Sequence, residues 1–233
     1  MSMPAMLTPV FEELAITISA RNHSHTLLTP DFLSSSGIVP LNWELAQPPV
    51  LDSQTAIVKF TNETIISAQF DRIVFSQTIE AKGLKEVKVP AIVRKYVETL
   101  PNADYQGVGI NPSSFFTWED EDQAAKRHYI VAALLAPSVW CDQSSQPVRG
   151  TLNLAYALEK GEFNLKIDDV RLRRSDNMPQ FAVLFSGNFP YEIVGNTASE
   201  RWQNPHYLIE HWQEDLETYR EIINHRFLSM KTQ

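Results

Sequence analysis

Alternating apolar and polar positions predict β-strands in both halves of the chain. The first such segment covers residues 13–19, where Leu14, Ile16 and Ile18 face one way. Because only one face is apolar, we expect an outer strand here. The continuous apolar run at residues 181–185 instead predicts a central strand that is covered on both faces.

Two hairpins, one in each half, change their inward phase in the returning strand. Side chains alternate with a period of two, so each change predicts a bulge or a sharp bend. The turns are predicted at Asn62-Glu63 and Lys160-Gly161, and the phase changes at Asp71-Arg72 and Asp168-Asp169. The similar hairpins are consistent with a repeated unit, although no residue-level identity between the halves supports duplication.

Apolar residues at helical spacing predict three helices, over residues 89–100, 117–135 and 204 to about 230. Pro90 suits the first turn of the first helix. Thr117 and Asp120 have the spacing of a capping box at the start of the second. Asn204 precedes Pro205 as an N-cap of the third, which is the longest.

These elements predict an α+β fold. We expect two bent antiparallel hairpin sheets, or one continuous sheet, packed against amphipathic helices, with the long C-terminal helix covering one sheet. The 233 residues can form a single domain, and two subdomains at 1–140 and 141–233 are the alternative. The irregular segment 20–53 is either functional or holds short strands.

Composition and charge narrow the class of protein. The net charge of −8, without a clustered basic face, argues against a nucleic-acid partner. The longest apolar run, residues 129–136, is far shorter than the roughly 20 residues that cross a bilayer. A single cysteine, Cys141, excludes internal disulfides, and we expect no secretion signal, because residues 1–8 lack a cationic start and a long apolar run. The sequence therefore predicts an acidic, soluble, cytoplasmic protein without a membrane partner.

No pattern in the chain has the spacing of a catalytic motif. Gly107-Val108-Gly109 is the closest approach to a phosphate loop, and it is more typical of a strand whose backbone a neighbour approaches closely. His23 and His25 could begin a metal site, but no third ligand follows from spacing, which favours exposed loop residues. We predict no catalytic residue, no metal and no cofactor, and an enzyme is the less favoured class.

Aromatic residues in irregular segments are typical of packing at the rim of the core, and recognition is the alternative that would give them a function. Trp43 lies in a loop with Pro40, Pro48 and Pro49, and Trp and Tyr are the residues that anchor interfaces. The leading hypothesis is a non-catalytic interaction or adaptor protein with a protein partner. The candidate binding residues are Trp43, Arg72, Tyr105, Asn111 and Trp118.

Two other functions stay open. The first is a small-molecule-binding protein or enzyme, with its site on a concave sheet face near Arg72, Tyr105 and Asn111. The second is a chaperone-like groove for apolar peptide, which would require a large exposed apolar patch. The sequence does not fix the oligomeric state.

Several short motifs together resemble a known group of proteins. They are Asn62, Ala68-Gln69-Phe70, the helix at 90–100, Tyr105 and Gly109-Ile110-Asn111-Pro112, followed by a long helix bearing Trp and Tyr. The chain resembles an uncharacterised family of bacterial α+β proteins that is common in cyanobacteria and sporadic elsewhere. The resemblance implies a cytosolic protein of unknown function and assigns no functional residue.

Overall fold

Nine strands form one antiparallel sheet among the described residues. The computed structural model describes residues 7–21, 23–79, 84–118, 130, 134, 150–173, 179–195 and 198–228. The strands are β1 (Leu7–Arg21), β2 (Val50–Leu51), β3 (Ala56–Lys59), β4 (Thr64–Ala68), β5 (Arg72–Thr78), β6 (Asp104–Trp118), β7 (Thr151–Leu158), β8 (Gly161–Arg173) and β9 (Pro179–Glu192). Their order is β2-β3-β4-β5-β1-β6-β9-β8-β7. The antiparallel sheet with helices is confirmed.

Of the two expected arrangements, two hairpin sheets or one continuous sheet, the structure has the single sheet, because β1 and β6 pair along their length and join the halves. The expectation that residues 13–19 form an outer strand is wrong, since β1 lies between β5 and β6. Its second face is not strongly apolar because it carries small residues, such as Ala15, Thr17 and Ser19. The alternative subdomain boundary at residues 140 and 141 lies outside the described residues.

The two predicted phase changes have different outcomes. At Asp71-Arg72 the chain reverses: Ala68 ends β4 and pairs with Ile73 of β5, and the Gln69 amide donates to the Arg72 carbonyl at 2.8 Å. The change of phase therefore marks a hairpin turn between two strands.

At Asp168-Asp169 the predicted bulge is wrong, because β8 stays in constant register with β9 from Asn164 to Arg173. The register shifts of the central pair lie elsewhere, at Val10 of β1 and Gln106 of β6. The two bulges lie near opposite ends of the β1–β6 pair, and each interrupts the pairing only locally.

The helices are α1 (Pro30–Ser35), α2 (Val89–Thr99), α3 (Ala198–Glu210) and α4 (Trp212–Ile222), with 3₁₀ turns at His25–Leu27 and Leu84–Glu86 and a π-helical turn at Ile223–Leu228. The first predicted helix is confirmed as α2. The C-terminal helix is broken at His211, and α3 starts upstream of Asn204, so that Pro205 lies inside it. Thr117 belongs to β6, and most of the predicted middle helix lies outside the described residues. No helix in the described ranges is long and apolar enough to cross a membrane.

The described helices α2 and α4 pack on one face of the sheet. Tyr96 of α2 meets Phe75 edge-on, with ring centroids 5.3 Å apart, and Tyr219 of α4 lies against Phe163 in the same way. Leu14, Ile16 and Ile18 of β1 point to this face and are fully buried, as apolar burial requires. We call it the helix face, and the opposite side, over which no described helix packs, the open face.

Candidate functional site

A polar groove of about 410 Å³ crosses the open face over the two central strands. Thr17 and Ser19 of β1 form part of its floor, beside the glycines of β6. Arg72 of β5 and Glu192 of β9 lie on its two sides. We call this site the central groove.

Register explains why these residues meet. Arg72 pairs with Ser19, Ser19 with Gly107, and Gly107 with Glu192, so the four residues form one row across four strands. Paired residues of neighbouring strands point to the same face, and strands lie about 4.8 Å apart. The cation and the anion of the row are therefore about 14 Å apart at their Cα atoms, with only a serine and a glycine between them.

Gly107 and Gly109 have no side chains that would fill the groove. A Cβ atom on Gly107 would lie 2.9 Å from the Tyr191 carbonyl oxygen, closer than real contacts allow. A Cβ on Gly109 would lie 3.3 Å from the Asn111 amide nitrogen. The prediction that this segment is a strand with a close backbone neighbour is confirmed.

Two asparagines form a hydrogen-bonded pair at one end of the groove. The Asn111 amide nitrogen donates to the Thr17 hydroxyl and to the Gly109 carbonyl, each at 3.0 Å. The Asn188 amide nitrogen donates to the Asn111 carbonyl oxygen at 2.6 Å. Asn111 is thus held in one orientation, and Asn188 retains one N–H and its carbonyl oxygen for further bonds.

Of the five predicted binding residues, Arg72 and Asn111 line the central groove. Tyr105 lies on the helix face, buried, where its hydroxyl donates to the Leu100 carbonyl at the end of α2. Burial raises the pKa of the Tyr105 phenol well above its usual value. Trp43 packs on Phe60 with ring centroids 5.1 Å apart. Trp118 ends β6, and its side chain lies outside the described parts. Ligand binding by any of these residues stays a prediction.

One of the two histidines of the irregular loop, His23, differs from expectation. His23 is buried rather than exposed, and its Nε2 atom shares a hydrogen bond with the Tyr96 hydroxyl at 2.5 Å. Burial lowers the pKa of His23 below its usual value. Across the described residues, no three His, Cys, Asp or Glu side chains are grouped as metal ligands.

Sequence reasoning missed Asn188 and Glu192 as members of the groove. The signal was present in part, because polar Ser186 and Asn188 alternate with buried Phe185 and Phe189 along β9. The missing information was which strand lies beside β9. Only the pairing with β6 brings Asn188 next to Asn111.

Fold and site together define a single-sheet α+β protein with a polar groove at the junction of its halves. No protein-family model matches the chain, and a search of curated proteins finds no significant match. The resemblance to the bacterial family therefore stays a prediction, and the function is inferred from geometry.

Proposed function

We propose that this is a non-catalytic binding protein whose central groove takes a short zwitterionic molecule of the size of a di- or tripeptide. The observation that supports this is the row that places Arg72 and Glu192 on opposite sides of a Ser19–Gly107 floor. A carboxylate of the ligand would bind the Arg72 guanidinium, and its ammonium group would bind Glu192.

The neutral groups of the groove suit the middle of such a ligand. Asn188 retains a donor and an acceptor, which is the pair that a peptide group needs. The Thr17 hydroxyl accepts a bond from Asn111 and retains a hydrogen that it can donate. Since Asn111 is already oriented by its own bonds, the groove is preorganised and loses little entropy on binding.

The charge balance of the open face agrees with a zwitterion. The lining of the groove carries one cation, Arg72, whose Nε lies 4.0 Å from Asp71, and one anion, Glu192, on the other side. A polyanion such as nucleic acid needs a clustered basic surface, which this row does not provide.

The test is a titration with Ala-Ala, followed by its N-acetylated and C-amidated forms. We expect each blocked form to bind at least about 5-fold more weakly, because one charge-assisted contact is lost. Arg72→Glu should remove the preference for a free carboxylate, and Glu192→Lys the preference for a free amine. Arg94→Glu, on an exposed side chain of α2, is the matched control and should bind as the wild type does. Equal affinity for free and blocked peptides would contradict the proposal, as would the absence of binding.

A second candidate, the interaction or adaptor protein, is supported by an apolar surface at the sheet edge. Leu41 is 84% exposed, and Leu45, Val50 and Leu51 are also exposed around the two-residue edge strand β2. An exposed apolar cluster at an open edge is a surface that other chains can cover. A partner that co-purifies from native lysate with the wild type, but not with Leu41→Ser/Leu51→Ser, would support this function. Equal recovery with both would contradict it. The chaperone-like groove stays a prediction.

A further inference from the structure

A second cavity, of about 200 Å³, lies where the β7–β8 turn meets the start of α4. Leu158, Phe189 and Tyr191 form its apolar side, and Glu162, Glu214 and Asp215 its acidic side. We call it the acidic cavity. Tyr191 also borders the central groove, but its hydroxyl is bonded in the acidic cavity, to Asp215.

Asp215 is the unusual residue of this cavity. Its side chain lies in the first turn of α4 and is 5% exposed. The Tyr191 hydroxyl donates to Oδ1 at 2.8 Å. Oδ2 is buried and has no hydrogen-bond partner within the described part of the chain. A buried carboxylate oxygen without a donor is costly, so a ligand that supplies the donor gains free energy.

The titratable groups around Asp215 come from the start of α4, from β9 and from the β7–β8 hairpin, which also brings Glu159 and Glu162 to the cavity. Glu214 of α4 is paired with Lys160 of the β7–β8 turn, and His211, which precedes α4, lies 3.6 Å from the same carboxylate. Tyr191 of β9 is neutral. Burial raises the pKa of Asp215 to about 6, with the bond from Tyr191 and the charges of His211 and Lys160 acting in the opposite direction. The carboxylate is therefore ionised at neutral pH despite its burial.

We propose that the acidic cavity binds a small organic ammonium ion, whose N–H group donates to Oδ2 of Asp215 and whose hydrocarbon part lies against Leu158 and Phe189. The rings of Phe189 and Tyr191 add an attraction for a cation. At about 30 Å³ per water-sized group, the cavity holds roughly six heavy atoms, which corresponds to a primary amine with a chain of four or five carbons.

Other ligand classes fit less well. A metal ion needs several oxygen ligands close together, and among the described residues no three carboxylates or imidazoles are grouped in that way. An anion would be repelled, because Glu162 and Asp215 outnumber the cation Lys160, which is already paired with Glu214.

The test is a titration followed by ¹H–¹⁵N NMR at pH 8, with n-butylammonium chloride as the ligand and 1-butanol as its neutral analogue. We expect butylammonium to shift the amide signals of residues around Asp215 and to bind at least about 10-fold more tightly than 1-butanol. Asp215→Asn keeps an acceptor for Tyr191 and should reduce the affinity at least about 10-fold. Glu217→Gln, an exposed carboxylate on the same helix, is the control that should not change it.

The pH dependence gives a readout that a structural role of Asp215 would not produce. Butylammonium affinity should rise with pH through the region near 6, where Asp215 ionises, and this dependence should be absent in Asp215→Asn. Equal affinity for 1-butanol, unchanged affinity in Asp215→Asn, or a cavity that takes up water only would overturn the proposal.

The central groove is tested separately, because Arg72→Glu and Glu192→Lys should leave butylammonium binding unchanged. If Glu192→Lys weakens it and Asp215→Asn does not, the ion binds in the groove and the acidic cavity is not its site. The failure of one proposal is therefore distinguishable from the failure of the other.

Discussion

The two halves of the sheet have corresponding strand orders, apart from the short edge strand β2, but different interiors on the helix face. Outward from the centre, the first half runs β1-β5-β4-β3-β2 and the second β6-β9-β8-β7. In the first half, α2 begins with buried Val89 and Pro90 and has no acidic residue in its first turn. In the second, the first turn of α4 carries Glu214 and buried Asp215. The helix that packs on the strands therefore begins with apolar residues in the first half and with acidic residues in the second.

This difference shows which buried side chains the fold requires and which it does not. Burial of the strands needs apolar side chains, which α2 supplies through Tyr96 on Phe75. A carboxylate under a helix adds no apolar burial and costs desolvation, so the fold alone does not account for Asp215. The central groove belongs to neither half, because it lies where β1 and β6 join them.

The largest expected effect comes from removing a core aromatic ring in either half. Phe75 and Phe163 are fully buried, and Phe163 stacks on Phe189 at 4.4 Å. Phe75→Ala and Phe163→Ala should each lower the free energy of unfolding by about 3–5 kcal/mol. Because one sheet joins the halves, we expect a single transition in each variant.

Fluorine-labelled tryptophan offers the measurement, since Trp43 reports on the first half and Trp212 on the second. In urea, both ¹⁹F signals should change at the same midpoint in the wild type and in both variants. A Trp43 midpoint that stays at the wild-type value in Phe163→Ala would mean that the halves unfold separately.

Glycine-to-alanine substitutions compare how tightly the residues under α4 and those on the open face are packed. A Cβ on Gly187 would lie 2.9 Å from Cδ2 of Tyr219 and 3.0 Å from Cε2 of Phe163, both of which are ring atoms in the core. Gly187→Ala should therefore cost about 1–3 kcal/mol. Gly109→Ala, whose nearest contact would be 3.3 Å on the open face, is the matched control and should cost less than about 1 kcal/mol. Equal urea midpoints for the two variants would contradict this order.

The free energy of unfolding, measured as a function of pH, tests the role of Asp215 in the first turn of α4. The pKa of Asp215 is raised from 3.8 to about 6 in the folded protein, so folding takes up a proton between these values. The stabilisation that the raised pKa of Asp215 gives to the folded protein is present below about pH 4 and is lost as pH rises through 6. Asp215→Asn should therefore gain about 1–2 kcal/mol relative to the wild type between pH 4 and 8, after allowance for solvent screening.

The difference between wild type and Asp215→Asn is the quantity to measure, because burial also raises the pKa of Glu13. That effect is present in both proteins and cancels in the difference. A difference that does not change with pH would show that Asp215 is ionised as easily in the folded as in the unfolded chain.

Much of the fold followed from local patterns in the sequence. The helix at α2 and the turns after β3 and β7 follow from local signals: the position of Pro90, Asn62 accepting from the Thr64 amide at 3.1 Å, and Gly161 with a φ of 139°. The predictions that were wrong depended on contacts between residues that are far apart in the sequence. An alternating strand with small residues on its second face looks like an edge strand, and only the pairing of β1 with β6 places it at the centre.

The candidate sites divide in the same way. Arg72 and Asn111 were predicted as binding residues on a concave face of the sheet, and both line the central groove. Asp215 was not predicted, because it lies among Glu214, Glu217 and other polar residues of a helix. Its burial follows from its place on the inward face of α4, beside Trp212 and Leu216, where the Tyr191 hydroxyl meets it.

The smallest expected effect concerns the ion pair that connects the halves on the helix face. Arg220 of α4 donates from Nε to Oε1 of Glu12 at 2.9 Å and from a terminal nitrogen to Oε2 at 2.5 Å. Glu12 belongs to β1, so this pair joins a helix of the second half to a strand of the first. Its carboxylate is 20% exposed and its guanidinium 35%, which makes the pair partly screened.

Arg220→Lys keeps the charge but loses the two-pronged geometry, and should cost about 0.5–1 kcal/mol in the free energy of unfolding. A double-mutant cycle with Arg220→Gln and Glu12→Gln, each of which removes the ion pair, isolates the interaction from the effect of each side chain alone. We expect a coupling of about 0.5–1 kcal/mol that falls as salt is raised from 0.05 to 1 M, since screening weakens exposed pairs. A coupling of zero would mean that the halves are held together by the β1–β6 pairing and the shared core, with no contribution from this contact.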